Sequence, residues 1–152
     1  MDALRLALLR AEIQRQAAEI DKIYMKIEER KQRHDPASLE SLGYQLHNLY
    51  CAFEDLLKIV AAFFENQVAD ESRYHAELLR RMSLVVEGVR PAFISEKTYR
   101  LLDNLRSFRH FFRHAYAYEL DERKLGIVLE DALRLKELYP QDIRSFLEAL
   151  VS

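Results

Sequence analysis

Apolar residues recur at helical spacing through most of the chain, and polar runs punctuate them. Leu4, Leu8, Ile13, Ile20, Ile23 and Ile27 predict one long helix over residues 2 to about 34, with Glu, Lys, Arg and Gln on its other faces. The Asp35-Pro36 step ends it, because a proline ring disfavours helical angles in the residue before it. Asp35 can cap the next helix, with Pro36 in its first turn, where a missing N–H costs nothing. That second helix runs to about Glu65 and carries Leu42, Leu46, Leu49, Phe53, Leu56, Leu57, Val60 and Phe64. A polar stretch from Glu65 to Ser72 interrupts the pattern. A shorter helix from about Glu71 to Val86 follows, ended by Gly88 and Pro91. Ser95 caps a fourth helix through Leu102, Leu105, Phe108 and Phe112 to about Tyr118. A last segment spans Asp121 to Leu138, and Pro140 begins a terminal turn or helix. No segment alternates at period two long enough to demand a strand. The expectation is an all-α, up-and-down helical bundle, with residues 1–152 as one domain.

Composition narrows the class without changing that picture. With 3 Gly and 3 Pro in 152 residues, the chain lacks the turn formers of a sandwich or barrel. A hydrophobic share of 49% with eight Phe and eight Tyr argues against disorder. The single cysteine, Cys51, excludes an internal disulfide and a Cys-based zinc site, and fits a reducing cytosol. It lies in the apolar second helix and reads as a buried small hydrophobe. Asp2 stands where a secretory leader wants positive charge, and the apolar run Ile59 to Phe64 is far too short for a membrane span. A soluble, cytoplasmic protein with no membrane partner is expected. The formal net charge of −2 means that any nucleic-acid contact must come from a local patch.

Such a patch exists. Residues 104–118 read NLRSFRHFFRHAYAY: Arg106, Arg109 and Arg113, together with His110 and His114, and no acidic residue. At roughly 100° per residue, Arg106, Arg109, Arg113 and Tyr116 share about one quadrant. Leu105, Phe108, Phe112 and Ala115 flank it and can face a core. His110 and His114 lie one turn apart on the opposite flank, so Arg109 and His114 diverge on one straight helix. Joint action on one phosphate then needs local unwinding or a second copy of the helix, which an isologous dimer interface supplies. Histidine can carry protons near neutrality, and arginine offers a fixed fork for phosphate oxygens. These are the groups that cleavage of RNA by its own 2′-OH requires, without a metal. Clusters of this kind are also commonly solvated faces or partners of neighbouring carboxylates, and Glu119, Asp121 and Glu122 are close in sequence.

Arg109, four residues, His114, one residue and Tyr116 make an R-x4-H-x-Y pattern that resembles the signature of HepT-like toxins of the HEPN superfamily. His110 directly after the arginine also fits, as do the size, the helical layout and the motif's late position. The resemblance implies a HEPN-like bundle that acts as a homodimer and a metal-independent endoribonuclease, the toxin of a type VII HEPN/MNT toxin–antitoxin system. It implies Arg109 and His114 as catalytic residues on an RNA substrate, with Arg106, His110 and Arg113 as substrate-binding residues. It further implies an MntA-like nucleotidyltransferase antitoxin that moves AMP from ATP onto Tyr116, with Tyr118 as a second nearby hydroxyl. No cofactor and no metal is implied. The alternative is a non-catalytic helical module that binds nucleotides or docks a transferase.

Other constellations carry less. No Glu is followed three residues later by His, as a di-iron bundle needs, and H-E-x-x-H and phosphate-binding glycine loops are absent. His34, His47 and His75 sit singly on different segments and read as surface or capped histidines. The Phe63-Phe64 and Phe111-Phe112 pairs read as core or dimer contacts.

Overall fold

Each long helix begins where a short side chain can take up its free N–H groups. The computed structural model describes residues 2–65, 74–114 and 120–151. It contains α1 (Ala3–Arg30), α2 (Pro36–Phe64), α3 (Tyr74–Met82), α4 (Glu96–Arg113) and α5 (Glu122–Val151). Asp2 accepts from the Leu4 N–H, Asp35 from Ser38 and Ser95 from Thr98, at 2.9, 3.2 and 3.2 Å. Asp121 accepts from the Arg123 N–H at 2.9 Å, at the start of α5. Such caps are each worth about 1 kcal/mol. Among the described residues there is no strand beyond an isolated bridge between Val86 and Arg90, and no helix is long and apolar enough to cross a membrane.

The described residues form an all-helical arrangement, as expected, but several boundaries move. α1 stops at Arg30 rather than near residue 34, and α3 ends at Met82 rather than near Val86, while its expected start near Glu71 lies outside the described residues. The segment after α3 is instead a tight turn around Gly88 (φ +76°), held by the buried Arg90. The Arg90 guanidinium donates to the carbonyls of Leu84, Pro91 and Arg81 and to Glu65 Oε1, at 2.8 to 3.1 Å. Glu65 also pairs with Arg81 at 2.7 Å, so one carboxylate ties the end of α2 to this turn. α4 ends at Arg113, with His114 as its C-cap; the remainder of the expected helix, including Tyr116 and Tyr118, lies outside the described residues.

The expected break at Pro140 does not occur. α5 runs through it as one helix of 30 residues. A proline inside a helix removes one hydrogen bond and crowds the carbonyl four residues back, at about 3 kcal/mol. Here both halves are anchored by burial, Leu135 and Tyr139 on one side and Phe146 and Leu147 on the other, and that burial offsets the penalty.

The contacts set the layout. Arg30 bonds to Ser41, Gln16 to the Ala52 carbonyl, and Arg5 lies over the Phe63 ring, so α2 returns antiparallel along α1. Asn104 bonds to Asp131, and Asp142 accepts from Ser95 and Thr98, so α5 returns antiparallel along α4. α2 packs on each of the other four helices. Its buried Leu46, Leu49, Phe53, Leu57 and Val60 form the centre of the core. Cys51, expected to be buried, is half-buried, because it lies beside rather than on the inward stripe. The two aromatic pairs divide as well: Phe63, Phe64 and Phe112 pack against the core, whereas Phe111 is exposed.

Candidate functional site

The C-terminal half of α4 lies on α2 along a face that sequence reasoning left unassigned. Gly43, His47 and Tyr50 succeed one another at helical spacing on α2. A Cβ built on Gly43 would sit 3.0 Å from Leu120 Cδ1 and 3.1 Å from Phe112 Cε2. The glycine therefore allows both the last turn of α4 and the entry to α5 to approach α2 closely. One turn further on, the His47 ring lies 5.4 Å from that of Phe112. Phe112 in turn contacts Phe108, with centroids 5.8 Å apart. The apolar side of the basic segment is thus seated, and the rest of it is presented outward.

The arginines differ in circumstance. Arg106 is half-buried, and its guanidinium engages Asp103, one turn back, at 2.9 Å. Arg109 is half-buried against α2, with its Nε buried and without a hydrogen-bond partner among the described residues. Arg113 is exposed. The charges of Arg109 and Arg113 both reach His47, whose pKa lies below the ordinary histidine value. Burial is the main cause, followed among the lowering effects by the two guanidiniums; Asn48 opposes them. The buried Tyr50 hydroxyl is pushed well above the usual tyrosine range, first by burial and then by Glu54, against the pull of Arg106 and Arg109.

The histidines stand apart from the arginines. His110 and His114 are exposed, with ring centroids 4.9 Å apart in an edge-to-face arrangement. His114 caps α4, and its N–H meets the Phe111 and Phe112 carbonyls. The structure therefore brings His110 and His114 together and sets Arg109 on the flank toward α2. Tyr116 lies outside the described residues.

Of the acids that follow this cluster in sequence, Asp121 and Glu122 are otherwise engaged. Asp121 accepts at the start of α5, and Glu122 pairs with His34 at 2.7 Å across the α1–α2 turn. Glu119 lies outside the described residues. Arg109, His110, Arg113 and His114 form no ion pair among the described residues. A phosphodiester is the kind of ligand such a surface attracts: anionic, and able to use both fork-shaped donors and proton carriers. Among the described residues no group of three or more His, Cys, Asp or Glu converges as metal ligands would.

His47 is the site residue that sequence reasoning missed. Alone on an apolar helix it carried no signal; only its i+4 relation to Gly43 could have hinted that this face of α2 receives another element. His75, also read as a lone surface residue, pairs with the buried Glu54 at 2.6 Å. A family model described as HepT-like protein matches residues 41–150, well over half of the chain and inclusive of every side chain of this site. Neither the curated proteins nor the solved structures contain a match.

Proposed function

From the premise that this chain belongs to the HepT-like proteins of the HEPN superfamily, we propose that it is a metal-independent endoribonuclease. It would act as the toxin of a type VII HEPN/MNT toxin–antitoxin pair in the cytoplasm. The observation that carries this reading is the basic cluster at the end of α4, where Arg109 and Arg113 on one flank and the exposed imidazoles of His110 and His114 on another form no ion pair among the described residues, while Asp121 and Glu122 are bound elsewhere.

In this reaction the 2′-oxygen of RNA attacks the adjacent phosphorus, and the bond from phosphorus to the 5′-oxygen breaks. An imidazole takes the proton of the 2′-OH, and an imidazolium returns one to the departing 5′-oxygen. Arg109 grips the phosphate, whose charge grows in the transition state. His114 carries protons, and Arg106, His110 and Arg113 hold the flanking backbone. Of these, Arg106 must share its guanidinium with Asp103. Because Arg109 and His114 lie on different flanks of α4, a homodimer supplies the second basic turn that completes one cleft. Phe111, exposed on that turn, is suited to such an interface.

Regulation is proposed at Tyr116. Its hydroxyl oxygen attacks the α-phosphorus of ATP on an MntA-like nucleotidyltransferase, pyrophosphate leaves, and the phenolic proton is lost. The AMP so attached puts a negative phosphate into a cleft that must attract RNA, and so shuts it.

Arg109→Ala and His114→Ala should each abolish RNA cleavage in EDTA while leaving helicity unchanged by circular dichroism. A His114→Ala protein that cuts as well as the parent sinks the catalytic assignment. RNA that is bound but never shortened by the parent would favour the non-catalytic docking module.

A further inference from the structure

Two buried nitrogens without hydrogen-bond partners lie on facing elements of the seam between α2 and α4: Arg109 Nε and His47 Nδ1. Both are buried at the atom, although their residues are half-exposed. A buried polar atom left unsatisfied is costly, and most such atoms in folded proteins find partners. These two are chemically complementary. The arginine Nε carries a hydrogen and can only donate, whereas a neutral imidazole carries one nitrogen able to accept.

We infer that His47 is the positioning residue of Arg109: its Nδ1 accepts from the Arg109 Nε–H when a phosphate engages the outer edge of the guanidinium. Pairing at Nε fixes the guanidinium plane and leaves both terminal nitrogens pointing outward, the edge that matches two phosphate oxygens. Hydrogen bonds of this kind are commonly long or misaligned before substrate binds and tighten in the complex. The geometry supports the assignment from two sides. Phe112 packs against the His47 ring, which restrains its rotation, and Gly43 permits the close helix approach that brings Arg109 to α2. The imidazole is also held in the form required. Burial and the charges of Arg109 and Arg113, the charged groups on α4 that bear on it, favour its neutral form, with Asn48 opposing from its own helix. A protonated ring there would repel the guanidinium that it is meant to orient.

The inference rests on the ribonuclease reading for its importance but not for its test, which observes Arg109 directly. Side-chain nitrogen NMR of the full chain, with inorganic phosphate as the anion, follows the Arg109 Nε–H signal. In the parent it should shift on adding phosphate and shift again at the pH where His47 titrates. In His47→Asn, whose amide oxygen can replace the acceptor, the signal should stay close to that of the parent. In His47→Leu, which keeps bulk against Phe112 but has no acceptor, it should move to the position of an unpaired arginine. An Arg109 signal in the parent that ignores the protonation of His47 overturns the assignment, and this arm needs no variant to fold. So does an identical signal in His47→Leu with a native melting curve. For RNA cleavage, His47→Leu should lower kcat on the order of tenfold with KM little changed, and His47→Asn should restore most of it. If the parent cuts no RNA while the NMR coupling is present, the ribonuclease reading fails and the positioning role stands.

Discussion

Gly43 offers a direct measure of how closely α4 must approach α2. Replacing it with alanine has two opposed effects. The helix interior gains roughly 0.5–1 kcal/mol, since glycine is the poorer helix former. The new methyl, however, meets Leu120 at 3.0 Å and Phe112 at 3.1 Å, several tenths of an ångström inside ordinary contact. Both neighbours are the ends of side chains rather than backbone, so they can yield, and Gly43→Ala should change stability by less than about 1 kcal/mol. Gly43→Val removes that escape. Its two γ carbons are confined to one main rotamer in a helix, and overpacking of this kind costs about 1–3 kcal/mol. For a chain of this length each kcal/mol moves the melting temperature by roughly 2–4 °C. A loss near 2 kcal/mol therefore lowers it by roughly 4–8 °C. Thermal melts followed by circular dichroism decide the matter. Cleavage assays on the alanine protein add a second reading, because Phe112 lies two residues before His114 and a tilt of this turn moves the imidazole. A valine variant that melts with the parent would refute the close approach and, with it, the account of how the basic turn is seated.

Two further outcomes follow from other groups. His47 is held neutral below its ordinary pKa, so the unfolded chain takes up its proton first as pH falls. Its contribution to stability is complete above about 6.5 and is lost as pH falls from there through the lower folded value; His47→Asn should flatten this part of a stability–pH curve, and a curve of unchanged slope would contradict it. Arg90→Met strips three carbonyls and Glu65 of a fully buried donor. Breaking one side of such a pair costs about 3–5 kcal/mol, which urea denaturation should register near the lower end, because Arg81 still holds Glu65; a loss under about 1 kcal/mol would show that this turn is not held as described.

Helix type and the starting points of α1, α2, α4 and α5 were legible in the chain because they depend on neighbours a few residues apart. The period of the apolar residues identifies the buried stripe, and Asp35-Pro36 and Ser95 announce their caps whatever lies opposite. The basic segment and its motif were legible for the same reason. The continuity of α5 through Pro140 was not, since the local penalty is outweighed by the burial of Tyr139 and Phe146, which depends on other helices. Nor was the fate of the nearby acids: Glu122 turns to His34, 88 residues away in sequence, and Arg109 and Arg113 form no ion pair among the described residues. His47 shows the limit most clearly. A lone imidazole on α2 means little until α4 is laid beside it, because the potential it feels and the partner it can reach are set by distance in space. Periodicity and capping belong to the chain; charge balance and the company each side chain keeps belong to the packed helices.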